Sequence, residues 1–185
     1  MEDSKIIALF FRRDQQAITE LAAKYGRSIT RTASNILGNA EDAEECANDT
    51  YLAAWNSIPP QSPAPLVSYV CRIARNLAVS RYHANTAKKR NSFYDAALEE
   101  LEDSLAALET VETEYDVKEL TQAINGFLGA LSYDDRFLFM RRYWYVDSVA
   151  AIGKMMGLSP HRVSVRLYRI RERLERQLVK EGLLV

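Results

Sequence analysis

Arg162, Arg166, Arg169, Arg171, Arg173, Arg176 and Lys180 crowd one C-terminal stretch whose only acids are Glu172 and Glu175. Guanidinium groups at that density bind anions, and intrahelical pairing with so few carboxylates leaves most of the row without a counter-charge. A second constellation is Tyr69, Arg72, Arg75 and Asn76. An aromatic ring stacks on an unpaired base, an amide pairs with a base edge, and arginine holds phosphate. The same residue types also fit a half-buried tyrosine beside snorkelling arginines, so both readings stand on these residues alone.

The elements that must position these groups are helical. Val163, Leu167, Ile170, Leu174 and Leu178 recur at intervals of four, three, four and four, which is one buried stripe, and Arg162, Arg166, Arg169, Arg173 and Arg176 run beside it. Ser159 suits the N-cap and Pro160 the first helical position, where no N–H is needed. Just upstream, Asp147 or Ser148 can cap a short helix carrying Val149, Ala150, Ile152, Met155 and Met156, and Gly157 supplies a tight turn. Helix, glycine turn and basic helix make a helix-turn-helix, the order that inserts a helix into the major groove.

In the N-terminal half, Ile18, Leu21, Tyr25, Ile29, Ala33, Ile36 and Leu37 keep a helical period that stops at Gly38-Asn39. A second helix runs from Glu41 toward Trp55, with Glu41, Asp42, Glu44 and Glu45 suiting the positive end of its dipole. Glu45, Asn48, Asp49 and Leu52 share one side of it, a mixed acidic and apolar face that fits a basic partner. The proline-rich stretch 57–65 lacks the donors a helix or strand needs and is a loop. The helix after it, 66–82, is expected to bury Val70, Ile73, Ala74 and Leu77 and to carry Tyr69, Arg72, Arg75 and Asn76 off that stripe.

Composition narrows the function classes. At 185 residues, 48% apolar and 26% charged, the chain has room for two small globular domains and holds no run long and apolar enough to span a membrane. No signal-peptide pattern opens it, so a cytoplasmic protein without membrane insertion is expected. Cys46 and Cys71 are too few for a disulfide framework and, with His83 and His161, form no metal-ligand motif; free buried thiols, no metal and no cofactor are expected. The net charge of −1 hides a segregated pattern. No Asp or Glu occurs between Thr50 and Tyr94, a window that holds Arg72, Arg75, Arg81, Lys88, Lys89 and Arg90. From Asp95 to Glu119 the balance inverts, with Lys118 as the only base. That acidic stretch is expected to be a linker, although Leu98, Leu101, Leu105 and Leu108 also fit an acidic surface helix. An enzyme is not expected. The neighbouring carboxylates of Glu41, Asp42, Glu44 and Glu45, or of Asp134 and Asp135, point around a helix instead of converging on a metal, and Ser132 with Asp135 fits a capping pair.

Taken in order, the segments 17–25, 37–55, 69–78 and 131–178 resemble an extracytoplasmic-function sigma factor of bacterial RNA polymerase. The resemblance implies an all-α chain of two helical domains, sigma2-like at 1–92 and sigma4-like at 119–185, joined by an acidic linker at 93–118. It further implies a polymerase-binding face at Asp42, Glu45, Asn48, Asp49 and Leu52. It places recognition and melting of the minus-ten element, as single-stranded DNA, at Gln61, Ser62, Tyr69, Arg72, Arg75 and Asn76. Duplex readout of the minus-thirty-five element falls to His161, Arg162, Ser164, Val165, Arg166, Tyr168 and Arg169. Core RNA polymerase, promoter DNA and an anti-sigma factor are the implied partners. Tyr69 stands where members often carry Trp, Asn48 where Gln is common, and Ser164 where a basic residue often sits, which shifts expected base contacts toward Arg162 and Arg166. A competing expectation is a ligand-responsive helix-turn-helix repressor, which needs a dimer to span two half-sites.

Overall fold

The computed structural model describes residues 1–85, 93–105 and 114–183, with the backbone alone at 85, 103–105 and 114–117. Every regular element among them is helical, as expected of an all-α chain, and the chain divides into two compact units between Tyr94 and Asp95. No helix among the described residues is long and apolar enough to cross a membrane.

The first unit is built on α1 (Asp3–Phe11), α2 (Gln16–Leu37), α3 (Ala40–Ser57) and α4 (Leu66–Asn85). The sequence reading did not anticipate α1, yet its Ile6 and Phe10 are fully buried against Leu21, Ile29, Ile58 and Leu66. Each such side chain contributes roughly 1.5–3 kcal/mol by leaving water. The left-handed Gly38 (φ 66°) ends α2, and the side chain of Asn39 then caps α3 by accepting from the Glu41 N–H at 3.1 Å. The buried stripe of α2 differs from the expected one: Ala17 and Thr32 are inside, whereas Ile18, Tyr25 and Leu37 lie at the margin. Tyr25 stays at the edge because its hydroxyl donates to Asp3 Oδ1 at 2.6 Å, and Thr32 can be buried because its hydroxyl donates to the Ser28 carbonyl.

On α4, Leu66, Val70, Cys71, Ala74 and Ala78 are buried, while Ile73 and Leu77 are only half-buried. The four-residue spacing of the small side chains lets α4 approach α3 closely, and Cys46 Sγ reaches the Ala74 carbonyl at 3.5 Å. Both cysteines are free and buried as expected, and burial pushes the Cys46 thiol up to about 11. Neither is poised as a nucleophile.

The second unit comprises most of α5 (Phe93–Leu105), then α6 (Glu114–Ala130), α7 (Tyr133–Phe139), a π-helical turn at Met140–Trp144, α8 (Val149–Met156) and α9 (Pro160–Lys180). Its core gathers Phe127, Leu131, Leu138, Phe139, Val146, Ile152 and the α9 stripe. The stretch 93–118 is helical at both described ends, and residues 106–113, with Leu108, Glu109 and Glu112, lie outside the described residues. So do Lys88, Lys89 and Arg90 of the basic window.

Candidate nucleic-acid interface

Local chemistry sets the geometry of α8 and α9. Of the two candidates for the first cap it is Ser148 that acts, accepting from the Ala151 N–H at 3.2 Å. Ser159 caps α9 by accepting from the Arg162 N–H at 3.3 Å, with Pro160 behind it. Gly157 adopts φ 66°, a left-handed turn that costs other residues about 1 kcal/mol. The expected apolar face of α8 shifts: Ile152 and Gly153 are buried, while Met155 is 41% exposed. Gly153 is the residue the sequence reading missed. A Cβ there would stand 2.6 Å from the Leu158 carbonyl oxygen, so only glycine allows the chain leaving the turn to pass over α8.

Val163, Leu167, Ile170, Leu174 and Leu178 are all buried, as their spacing predicts. That orientation leaves His161, Arg162, Ser164, Tyr168 and Arg169 exposed, with Val165 and Arg166 half-buried. The arginines are not equivalent. Arg166 donates through Nη2 and Nε to Asp135 Oδ1 at 2.7 and 3.2 Å, and Arg173 Nη1 lies 3.7 Å from the other oxygen of that carboxylate. Arg171 is turned inward onto the Tyr143 hydroxyl at 2.6 Å and Glu100 at 3.3 Å, with its guanidinium 5.9 Å from the Tyr168 ring. Arg162 and Arg169 have no ion-pair partner among the described residues. The row of charge inferred from sequence thus reduces near the helix start to a pair of exposed guanidiniums flanking one that is clamped. The counter-charge comes from α7 and α5, distant in sequence, which spacing along α9 could not reveal.

Behind α9, the π-turn presents Arg142 to Glu100 on α5 (Nη2 to Oε1, 2.6 Å) and to the Asp147 carbonyl at 3.2 Å. Glu100 also accepts from the Tyr143 hydroxyl at 3.0 Å. Arg142 is 3% exposed, so this carboxylate is the partner its buried charge requires. Burial, with Glu100 beside it, raises the Tyr143 pKa far above the ordinary phenol value and keeps it a proton donor. Asp147, read from sequence as an alternative cap, is instead buried and paired with Arg141. Val146 between them is fully buried at φ 57°, a conformation that a β-branched residue adopts only under strain. The Asp147 N–H bond to the Arg141 carbonyl at 2.9 Å spans that kink.

In the first unit, Tyr69 is half-buried and Arg72 and Asn76 are exposed along one side of α4, with the Arg72 guanidinium 5.5 Å from the centre of the Tyr69 ring. Gln61 and Ser62 are exposed in the loop that leads into α4. Arg75 is half-buried; burial lowers its pKa, offset in part by the Tyr94 phenol. Arg81 leaves the expected basic surface. Its Nη1 donates to Glu45 Oε2 at 2.7 Å and its Nη2 to Asp49 Oδ2 at 3.1 Å, tying the far end of α4 to α3. Of the α3 face, Asp42 and Asp49 are half-exposed, Glu45 and Asn48 are exposed, and Leu52 is 58% exposed, a bare apolar side chain between polar neighbours.

The segments that carry these surfaces are similar in sequence to known proteins. Residues 21–88, which span α2 from its second turn through α4, match the Sigma-70 region 2 family. Over 172 residues, 89% of this chain and 90% of the relative, the sequence is 26% identical to the ECF RNA polymerase sigma factor SigW of Bacillus subtilis (strain 168). A solved structure described as CnrH in complex with the cytosolic domain of CnrY covers 96% of this chain and 97% of its own at 21% identity, with a TM-score of 0.45. The regional match falls on the helices that carry the α3 face and the α4 surface, and the curated relative extends the likeness over 89% of the chain. The chain is therefore similar to sigma-70 region 2 over residues 21–88 and, along most of its length, to an extracytoplasmic-function sigma factor.

Proposed function

We propose that this chain is a sigma factor that directs core RNA polymerase to promoters and divides its work among three separately positioned surfaces. The α3 face of Asp42, Glu45, Asn48, Asp49 and Leu52 docks on the polymerase. Gln61 and Ser62 with Tyr69, Arg72, Arg75 and Asn76 take the unpaired minus-ten strand. The start of α9, with His161, Arg162, Ser164, Val165, Arg166, Tyr168 and Arg169, reads the minus-thirty-five duplex. The boundaries 1–92, 93–118 and 119–185 describe this division in function, in a cytoplasmic protein that carries out no catalytic step of its own. An anti-sigma factor that covers these surfaces completes the set of partners.

One observation carries the reading. The buried stripe of α9 turns Arg162 and Arg169 outward at the start of a capped helix behind a glycine turn, where a major groove admits a helix and base edges accept from arginine. The α4 surface supports the second assignment through an aromatic ring, an exposed amide and a cation on one side of one helix. The repressor reading loses ground because the N-terminal half, where a ligand-sensing domain would have to lie, carries the sigma-70 region 2 match. Adding the purified chain to core polymerase tests the proposal: start-site-specific transcripts from a genomic template are the expected result, and a chain that never co-elutes with core enzyme overturns it.

A further inference from the structure

Resting on the reading of α9 as the duplex-binding helix, we propose that Asp135 of α7 is a positioning residue that fixes which edge of the Arg166 guanidinium meets DNA, and so makes Arg166 select guanine at one base pair. Asp135 is itself fixed: its N–H donates to Ser132 Oγ at 3.2 Å in the first turn of α7. Its Oδ1 accepts from both Nη2 (2.7 Å) and Nε (3.2 Å) of Arg166, and the two side chains are 20% and 33% exposed.

A guanidinium held this way has one edge consumed. What remains is the end-on fork of Nη1 and the second Nη2 hydrogen, in the plane set by the carboxylate. Two coplanar donors match O6 and N7 of guanine, the commonest specific arginine contact in the major groove. An unheld arginine loses rotamer entropy when it is ordered, and it offers either edge to phosphate or base alike. Arg162 and Arg169, one turn away on either side and without ion-pair partners among the described residues, suit that less selective contact. The clamp lowers the net charge at Arg166 and sharpens its geometry, a combination that favours discrimination over raw affinity.

The experiment uses the full chain bound to core RNA polymerase and a pool of duplexes randomised across the promoter length, sequenced after selection. Wild type is expected to enrich a motif with guanine at a position that Asp135→Asn relaxes by tenfold or more, while the variant binds bulk duplex more tightly at low salt and with a steeper salt dependence, because one more cation is free. A clamp that serves only to tie α7 to α9 would lower thermal stability and weaken all sequences alike; unchanged base preference in Asp135→Asn overturns the proposal. Should Asp135→Asn fail to fold, Arg166→Lys keeps the ion pair but removes the planar fork. It must then lose guanine at the upstream element, and retention of that base also overturns the proposal. A wild-type holoenzyme that enriches no motif sinks the reading of α9 itself, and this assignment with it.

Discussion

At the scale of single residues, the charged side chains divide into those spent inside the fold and those left for a partner. Reversing Glu45 and Asp49 together to lysine is expected to weaken polymerase association and also to destabilise the first unit, because Arg81 loses both carboxylate acceptors and faces like charge. Arg81→Met alone should cost about 0.5–1 kcal/mol in chemical denaturation, since its partners are largely exposed. Leu52→Ala separates the roles: at 58% exposure it should leave unfolding within about 0.5 kcal/mol of wild type while lowering co-elution with core enzyme. Unaltered affinity would remove α3 from the docking assignment. On α4, Asn76 is exposed, with no side-chain bond to the other described residues that its loss would break. Asn76→Ala should therefore reduce permanganate reactivity of the melted region more than closed-complex formation, and equal opening by variant and wild type would exclude its role.

Among the elements, the helix-turn-helix depends on a pair of glycines for different reasons. Gly157→Ala meets open space but a left-handed backbone, and should cost about 1 kcal/mol. Gly153→Ala keeps an ordinary helical backbone but drives a Cβ to 2.6 Å from the Leu158 carbonyl, and should cost roughly 2–3 kcal/mol as α8 and the turn are forced apart. Thermal unfolding of the two variants ranks them, and a smaller loss for Gly153→Ala would refute the close-approach account. Ser159→Ala belongs to the same element, with about 1 kcal/mol expected for the lost cap.

For the whole molecule, the two compact units should unfold as separate transitions, followed by calorimetry of the full chain. Glu100→Ala should lower only the second, by about 3 kcal/mol, because it strips a buried arginine of its carboxylate and removes acceptors from Tyr143 and Arg171. Equal displacement of both transitions would contradict the assignment of Glu100 to the second unit. The same residue revises how the acidic stretch is understood. Charge composition pointed to a linker, with an acidic surface helix as the alternative, and one of its carboxylates is a structural pin.

What the sequence alone determined is what local periodicity and capping encode: the α9 stripe, its Ser159 cap, the Gly157 turn and the stop at Gly38. Those features depend on neighbours within a few residues, so their physics is contained in a short window of sequence. Tertiary structure decided which arginines are free. Arg81, Arg142, Arg166 and Arg171 find their acids 36, 42, 31 and 71 residues away, on helices that meet them only after packing. A charge reads identically in sequence whether its partner is water, nucleic acid or a folded carboxylate, and only the distance between groups tells these apart.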